Sequence, residues 1–156
     1  MAQQADSPGA PPGDPIAFIE RYGALARCLR SLAAQAYATA EIGSTQAKFL
    51  RHIGQQSQIS QAELARATGT DPTLTGRALQ TLIARGWVRR RRSDVDRREY
   101  ILELGAAGRR ARSRVEKLRA TLAAHVVAAL DARDLEDFER ITGKILAAFD
   151  APDDRG

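Results

Sequence analysis

Arginine dominates one short stretch of the chain. Arg85, Arg89, Arg90, Arg91, Arg92, Arg97 and Arg98 stand close together, with only Asp94 and Asp96 as counter-charge. The local excess of five equals the formal net charge of the whole 156-residue chain, +5. A guanidinium is planar, permanently charged and able to give two parallel hydrogen bonds to an oxyanion. Clustered with so little compensation, such groups suit a polyanion better than a small substrate. The evenly spaced phosphates of duplex DNA are a natural match.

Other chemistry is poorly supplied. The sequence has no phosphate-cradling glycine loop, no G-x-S-x-G and no H-E-x-x-H, so neither an enzyme nor a cofactor is expected. One cysteine, Cys28, excludes an intrachain disulfide and a four-cysteine metal site. The two histidines, His52 and His125, lie far from each other and from Cys28, which gives no metal-ligand spacing. The run GAAGRR over 105–110 resembles a nucleotide loop only superficially. It follows a single strand pattern, and its glycines fit strand exit and helix start.

These residues need elements to hold them. Apolar residues make up 44% of the chain and aromatics 5%, which points to a helical core of Leu, Ile, Val and Ala. The first fifteen residues, MAQQADSPGAPPGDP, lack the basic and apolar regions of a signal peptide. No segment approaches the roughly eighteen uninterrupted apolar residues of a membrane span. The expectation is a cytoplasmic protein without a membrane partner, with a disordered tail over 1–15 and a loose end over 150–156.

Ile16, Ile19, Tyr22, Leu25 or Ala26, Leu29, Leu32 or Ala33, and Ala36 recur at steps of three and four, predicting a helix over about 16–38. A second helix is expected over about 45–55, with Ser44 as its N-cap. Ser60 and Glu63 form a capping-box pattern before a short helix over 61–67, which Gly69 closes. Asp71-Pro72 then reads as an N-cap followed by proline at the first helical position. That helix runs to about Arg85, turns Leu79, Leu82 and Ile83 inward, and ends at Gly86. Two helices joined by so short a turn form a helix-turn-helix.

After Gly86 the period changes to two. WVRRRR and EYILEL read as strands around a tip at 93–98, so a wing follows the helix-turn-helix. Long helices are expected over about 105–130, with Val115, Leu118, Leu122, Val126 and Leu130 in its stripe, and over about 133–149. The fold expected is mainly α with a small β-hairpin wing. A winged helix-turn-helix lobe over about 45–104 would share one domain, 16–149, with helices over 16–38 and 105–149. Those outer helices are too apolar on one face for so small a lobe to cover. A second copy of the same helices is the simplest cover, making a dimerisation stalk.

The residues from Ser60 to Arg112 resemble the core of MarR-type transcriptional regulators. The shared features are Ser60–Ala65 before the turn, Arg85-Gly86 after the recognition helix, Asp96-Arg97-Arg98 at the wing tip, and LELGAAGR from Leu102 to Arg109. Helix order on either side agrees, so the resemblance covers about 16–149. Three positions depart from the family pattern. Gly105 stands where threonine is usual, Thr75 where an aliphatic residue is common, and Gly76 where a polar one is common.

The major groove admits one helix, whose N-terminal side chains reach base edges. Thr73, Arg77 and Gln80 share the face opposite Leu79 and Leu82 and are the expected contacts, with Arg77 suited to guanine. Ser60, Gln61, Gly76 and Arg91 complete the expected DNA-binding set. Arg89 to Arg92 cannot all face DNA, because alternate strand residues point opposite ways. The resemblance implies that Asp96 braces the hairpin through Arg98 and leaves Arg97 for the minor groove, or the reverse. It further implies a homodimer on a pseudo-palindromic operator, generally a repressor. It also implies an effector: an aromatic, phenolic or carboxylate molecule near Tyr22, Arg51, His52 and His125, or an oxidant acting on Cys28. The alternative class is a winged-helix scaffold for protein contacts without an effector.

Overall fold

A computed structural model describes residues 13–56, 58–93 and 100–150. Its elements, in chain order, are α1 (Pro15–Ala38), α2 (Ser44–Gln55), α3 (Gln61–Thr68), α4 (Pro72–Ala84), β1 (Val88–Arg92), β2 (Tyr100–Leu104), α5 (Ala106–Val127) and α6 (Ala132–Asp150). The expected tail over 1–15 and the loose end over 150–156 fall almost wholly outside the described residues. The exception is informative: Asp14 caps α1 by accepting the Ile16 N–H at 2.9 Å, with Pro15 at the first helical position.

The same pairing starts α4. Asp71 Oδ1 accepts the N–H groups of Thr73 and Leu74 at 2.9 and 3.1 Å, satisfying two donors that the helix itself leaves open. The capping box of α3 is complete: Ser60 Oγ accepts the Glu63 N–H, and Glu63 Oε2 accepts the Ser60 N–H. Gly69 ends α3 with φ +58, and Gly86 follows α4 with φ +65, left-handed positions that a Cβ disfavours. One cap differs from expectation. Ser44 is the first helical residue of α2 and Gly43 is the cap, because Gln46 Oε1 reaches back to the Gly43 N–H at 3.2 Å.

The core lies between α2, α3, α4, α5 and the hairpin. Phe49, Leu50, Leu64, Leu79, Leu82 and Val115 are fully sealed there, with Val88, Leu102 and Leu104 closing it from the sheet. Thr75, at an aliphatic position of the family, is fully buried too. Its hydroxyl donates to the Asp71 carbonyl at 2.9 Å, so the polar atom costs little. The strands pair antiparallel, Val88 opposite Leu104 and Arg92 opposite Tyr100. The segment before α3 adds to this sheet, the Leu102 N–H donating to the Ile59 carbonyl at 2.8 Å.

The outer helices are covered unevenly. On α5 the apolar stripe is sealed at Val115, half-buried at Leu118, Leu122 and Val126, and open at Val127 and beyond. Ile16, Ile19, Tyr22 and Leu25 of α1 are exposed, and no described residue of α6 is buried. No helix among the described residues is long and apolar enough to cross a membrane.

Candidate nucleic-acid interface

Burying Thr75, Leu79 and Leu82 turns the opposite face of α4 to solvent. Thr73, Arg77 and Gln80 are all exposed there. The Arg77 guanidinium makes no hydrogen bond or ion pair with another described residue, so it is available to a ligand. Gly76 leaves a gap beside it. A Cβ at Gly76 would meet only Gln61 Nε2, at an ordinary 3.6 Å, so internal packing does not demand the glycine.

Gln61 joins the recognition helix to the wing. Its Oε1 accepts a hydrogen bond from Arg90 Nη2 at 3.1 Å while its amide nitrogen stands next to Gly76. Ser60, Gln61, Arg90 and Tyr100 line a shallow cavity of about 330 Å³ between α3 and the hairpin. Arg92 lies over the half-exposed Tyr100 ring, 5.0 Å from its centroid. Helix α4, the start of α3 and one face of the hairpin thus meet in a cationic, amide-bearing surface.

Strand register decides which arginines belong to it. Arg90 and Arg92 share a face with Tyr100 and Leu102, whereas Arg89 and Arg91 share the other with Glu103 and Ile101. Arg91, expected at the DNA, is half-buried and donates from Nε to Glu103 Oε1 at 2.7 Å. Arg89 bonds the other oxygen of the same carboxylate, at 3.1 Å from Nε. Arg90 and Tyr100 are the functional candidates that sequence reasoning did not single out. The signal for them was the parity of the strand relative to Leu102. Asp96, Arg97 and Arg98 lie outside the described residues.

Two carboxylates of this region are held in their charged form. Glu63 sits below the ordinary glutamate value, chiefly because the Ser60 backbone N–H donates to it and secondly through the Ser60 hydroxyl. Glu103 is lowered first by the hydrogen bond from Arg91, against an opposing push from burial, with Arg89 adding to the lowering. A carboxyl whose folded value is depressed contributes stability that is complete above its unfolded value. That stability is lost as pH falls through the folded one. Glu103→Gln is therefore expected to lower the urea midpoint at neutral pH, and the deficit should shrink once pH passes below about 4.3. A deficit that stayed constant on acidification would mean that the charge of Glu103 does not hold the hairpin.

The residues expected to meet an effector are not joined to one another. Tyr22 and His125 are exposed, His52 is half-buried, and Arg51 lies 3.4 Å from Glu116 Oε1. Cys28 is exposed on α1. No hydrogen bond or ion pair links any two of these five among the described residues. Nor do any three His, Cys, Asp or Glu residues among the described ones stand together as a metal site.

A helix-turn-helix with an arginine-bearing hairpin packed beside its second helix defines a winged-helix protein. Residues 41–99 match the MarR family model. Over most of the chain the fold is that of solved MarR regulators. A mutant MarR from E. coli complexed with operator DNA is similar at 23% identity, over 86% of this chain and 99% of that one, with a TM-score of 0.70. A MarR transcriptional regulator from Methanosarcina mazei Go1 is 26% identical over 85% of this chain and 94% of its own, with a TM-score of 0.69. The PcaV transcriptional regulator from Streptomyces coelicolor, in complex with its natural ligand, is 23% identical over 81% and 92%, with a TM-score of 0.65. No curated protein matches the chain.

Proposed function

We propose that this MarR-family regulator is a cytoplasmic homodimer that binds a pseudo-palindromic operator, acts as a repressor and releases DNA in response to a small molecule or oxidant. One observation carries the reading: Thr73, Arg77 and Gln80 stand exposed on α4 beside the Gln61–Arg90 junction of the wing. That surface offers a helix to a major groove and guanidinium groups to the phosphates beside it. The bound operator in the E. coli MarR complex is consistent with it. In a dimer, two α4 helices about 34 Å apart would enter successive major grooves.

Residues 16–149 are taken as one domain, with the winged lobe over about 45–104 and the helices over 16–38 and 105–149 as the stalk. Ser60, Gln61 and Gly76 remain in the proposed DNA-contact set, while Arg91, on the opposite strand face, would act on that surface only by holding Glu103. Arg97 or Arg98 would enter the minor groove with Asp96 as brace. Modulation is assigned to the helices outside the lobe, where a carboxylate or phenol would meet Arg51, His52, Tyr22 and His125. Such a carboxylate must compete with Glu116 for Arg51. An oxidant would act on Cys28. The ligand held by PcaV supports the small-molecule arm.

The test is a gel shift on the DNA upstream of the coding sequence. Arg77→Ala is expected to weaken specific binding by about 10- to 100-fold, the range of one bidentate base contact. Arg97→Ala should weaken binding and also flatten its salt dependence by about one phosphate contact. Unchanged binding by both variants would sink the reading.

A further inference from the structure

A second cationic site lies where the end of α2, the start of α5 and the base of the hairpin meet. A cavity of about 280 Å³ is lined there by Arg89 of β1 and by Arg109 and Arg112 of α5, with Gln56 and Glu103 also on its wall. The three arginines are unequally satisfied. Arg89 is paired with Glu103 at 3.0 Å. Arg109 gives Nη1 to the Leu104 carbonyl at 2.9 Å and has no carboxylate partner among the described residues. Arg112 lies flat on Gly54, so close that a Cβ there would stand 2.5 Å from its Cδ, and its buried Nε has no acceptor.

Glu103 is the one carboxylate among the described wall residues, and Arg91 draws on it from outside the cavity. The wall therefore carries surplus positive charge, and Arg112, which borders it, has no hydrogen-bond or ion-pair partner among the described residues, its Nε being sealed against Gly54. A guanidinium is paired best by a planar or tetrahedral oxyanion. We infer that this cavity is a subsite for a small free oxyanion, a phosphate or a short aliphatic carboxylate, held by Arg112 and Arg109. The Gln56 side chain, which makes no hydrogen bond to another described residue, is its third donor.

Size and lining fix the class. The wall is mostly polar and the volume modest, which favours a compact, strongly charged solute over an aromatic ring. A DNA phosphate is not the occupant: Arg89 and Glu103 belong to the opposite face of the hairpin from Arg90 and Tyr100. A bound oxyanion would tie the end of α2 to the start of α5 beneath the wing. The site stands apart from the DNA-binding reading, because it can be measured without operator.

The experiment titrates the full chain with inorganic phosphate, and separately with succinate, against chloride at constant pH and ionic strength. Arginine ¹H–¹⁵Nε spectra and thermal unfolding are recorded. One Nε–H resonance, missing in Arg112→Met, should move saturably with one or both anions. The anion giving the tighter saturation names the chemistry. The thermal midpoint should rise by roughly 2–5 °C at saturation, as expected when a ligand binds only the folded state. Arg112→Met keeps the stem over Gly54 but removes the charge, and should abolish the rise. Should that variant fail to fold, Arg109→Gln, which should weaken saturation about tenfold, gives the same reading. Arg110→Gln, beside Trp87 on another side of α5, should respond like the parent. No saturable shift with either anion would overturn the proposal, as would an equal midpoint rise in Arg112→Met. A shift of the same resonance by a short DNA duplex but by neither free anion would overturn it too.

Discussion

Gly108→Ala is expected to lower the thermal midpoint by roughly 6–12 °C, a loss of about 3 kcal/mol for a chain of this size. The added Cβ would fall on the Trp87 carbonyl oxygen, and it would also stand 2.7 Å from the Trp87 carbonyl carbon. Neither group can turn aside as a side chain would. That carbonyl already accepts the Gly105 N–H at 3.0 Å, and Gly105 itself is wedged so that a Cβ would lie 2.7 Å from the Gly86 carbonyl. The two glycines let the first turn of α5 rest on the backbone where α4 passes into β1. This contact explains why glycine, with no side chain to cap α5, occupies position 105 in place of threonine. A matched control has the opposite sign. Gly143 of α6 has open space around its would-be Cβ, so Gly143→Ala should hold or raise the midpoint, alanine being about 1 kcal/mol the better helix former. Circular-dichroism melts of the two variants decide the matter. A change below about 1 °C in Gly108→Ala would mean that α5 does not sit on Trp87 this way.

What the sequence made legible was local. Capping patterns at Ser60–Glu63 and Asp71-Pro72, and the glycines at 69 and 86, are short-range rules, and each appears in the structure as read. The same rule holds at Asp14-Pro15, which starts α1 just ahead of the apolar period that begins at Ile16. At α2 a long-reaching Gln46 side chain makes Gly43, rather than the expected Ser44, the cap. The wing was legible as alternation, but alternation alone does not say which parity faces which neighbour. Pairing Arg90 with Leu102, beside a core-facing Val88–Leu104 pair, settles that Arg90 turns toward Gln61 and Arg91 toward Glu103. The Arg109–Arg112 cavity had no sequence signature at all. It depends on α5 lying across Gly54, a contact between residues more than fifty positions apart.

Replacing Phe138 and Leu146 together by aspartate is expected to leave the winged lobe folded, split the proposed dimer and weaken operator binding by about 100-fold or more. In the single chain these side chains are 57% and 63% exposed, so their loss removes nothing from the core. Ile16, Phe18 and Ile19 of α1, and Phe138, Leu146 and Phe149 of α6, are large apolar side chains left exposed in the single chain. Carboxylates placed at the centre of a contact between such faces would have to lose their water without partners, which strongly opposes association. Each lobe would then meet its half-site alone, without the high effective concentration that tethering to a bound twin provides. Sedimentation equilibrium should give the monomer mass for the variant and twice that for the parent, with matching far-ultraviolet dichroism over the lobe. A parent that already sediments as a monomer at micromolar concentration, or a variant that stays paired, would mean that α6 is not the joining surface and that the two-groove reading of the operator has no scaffold.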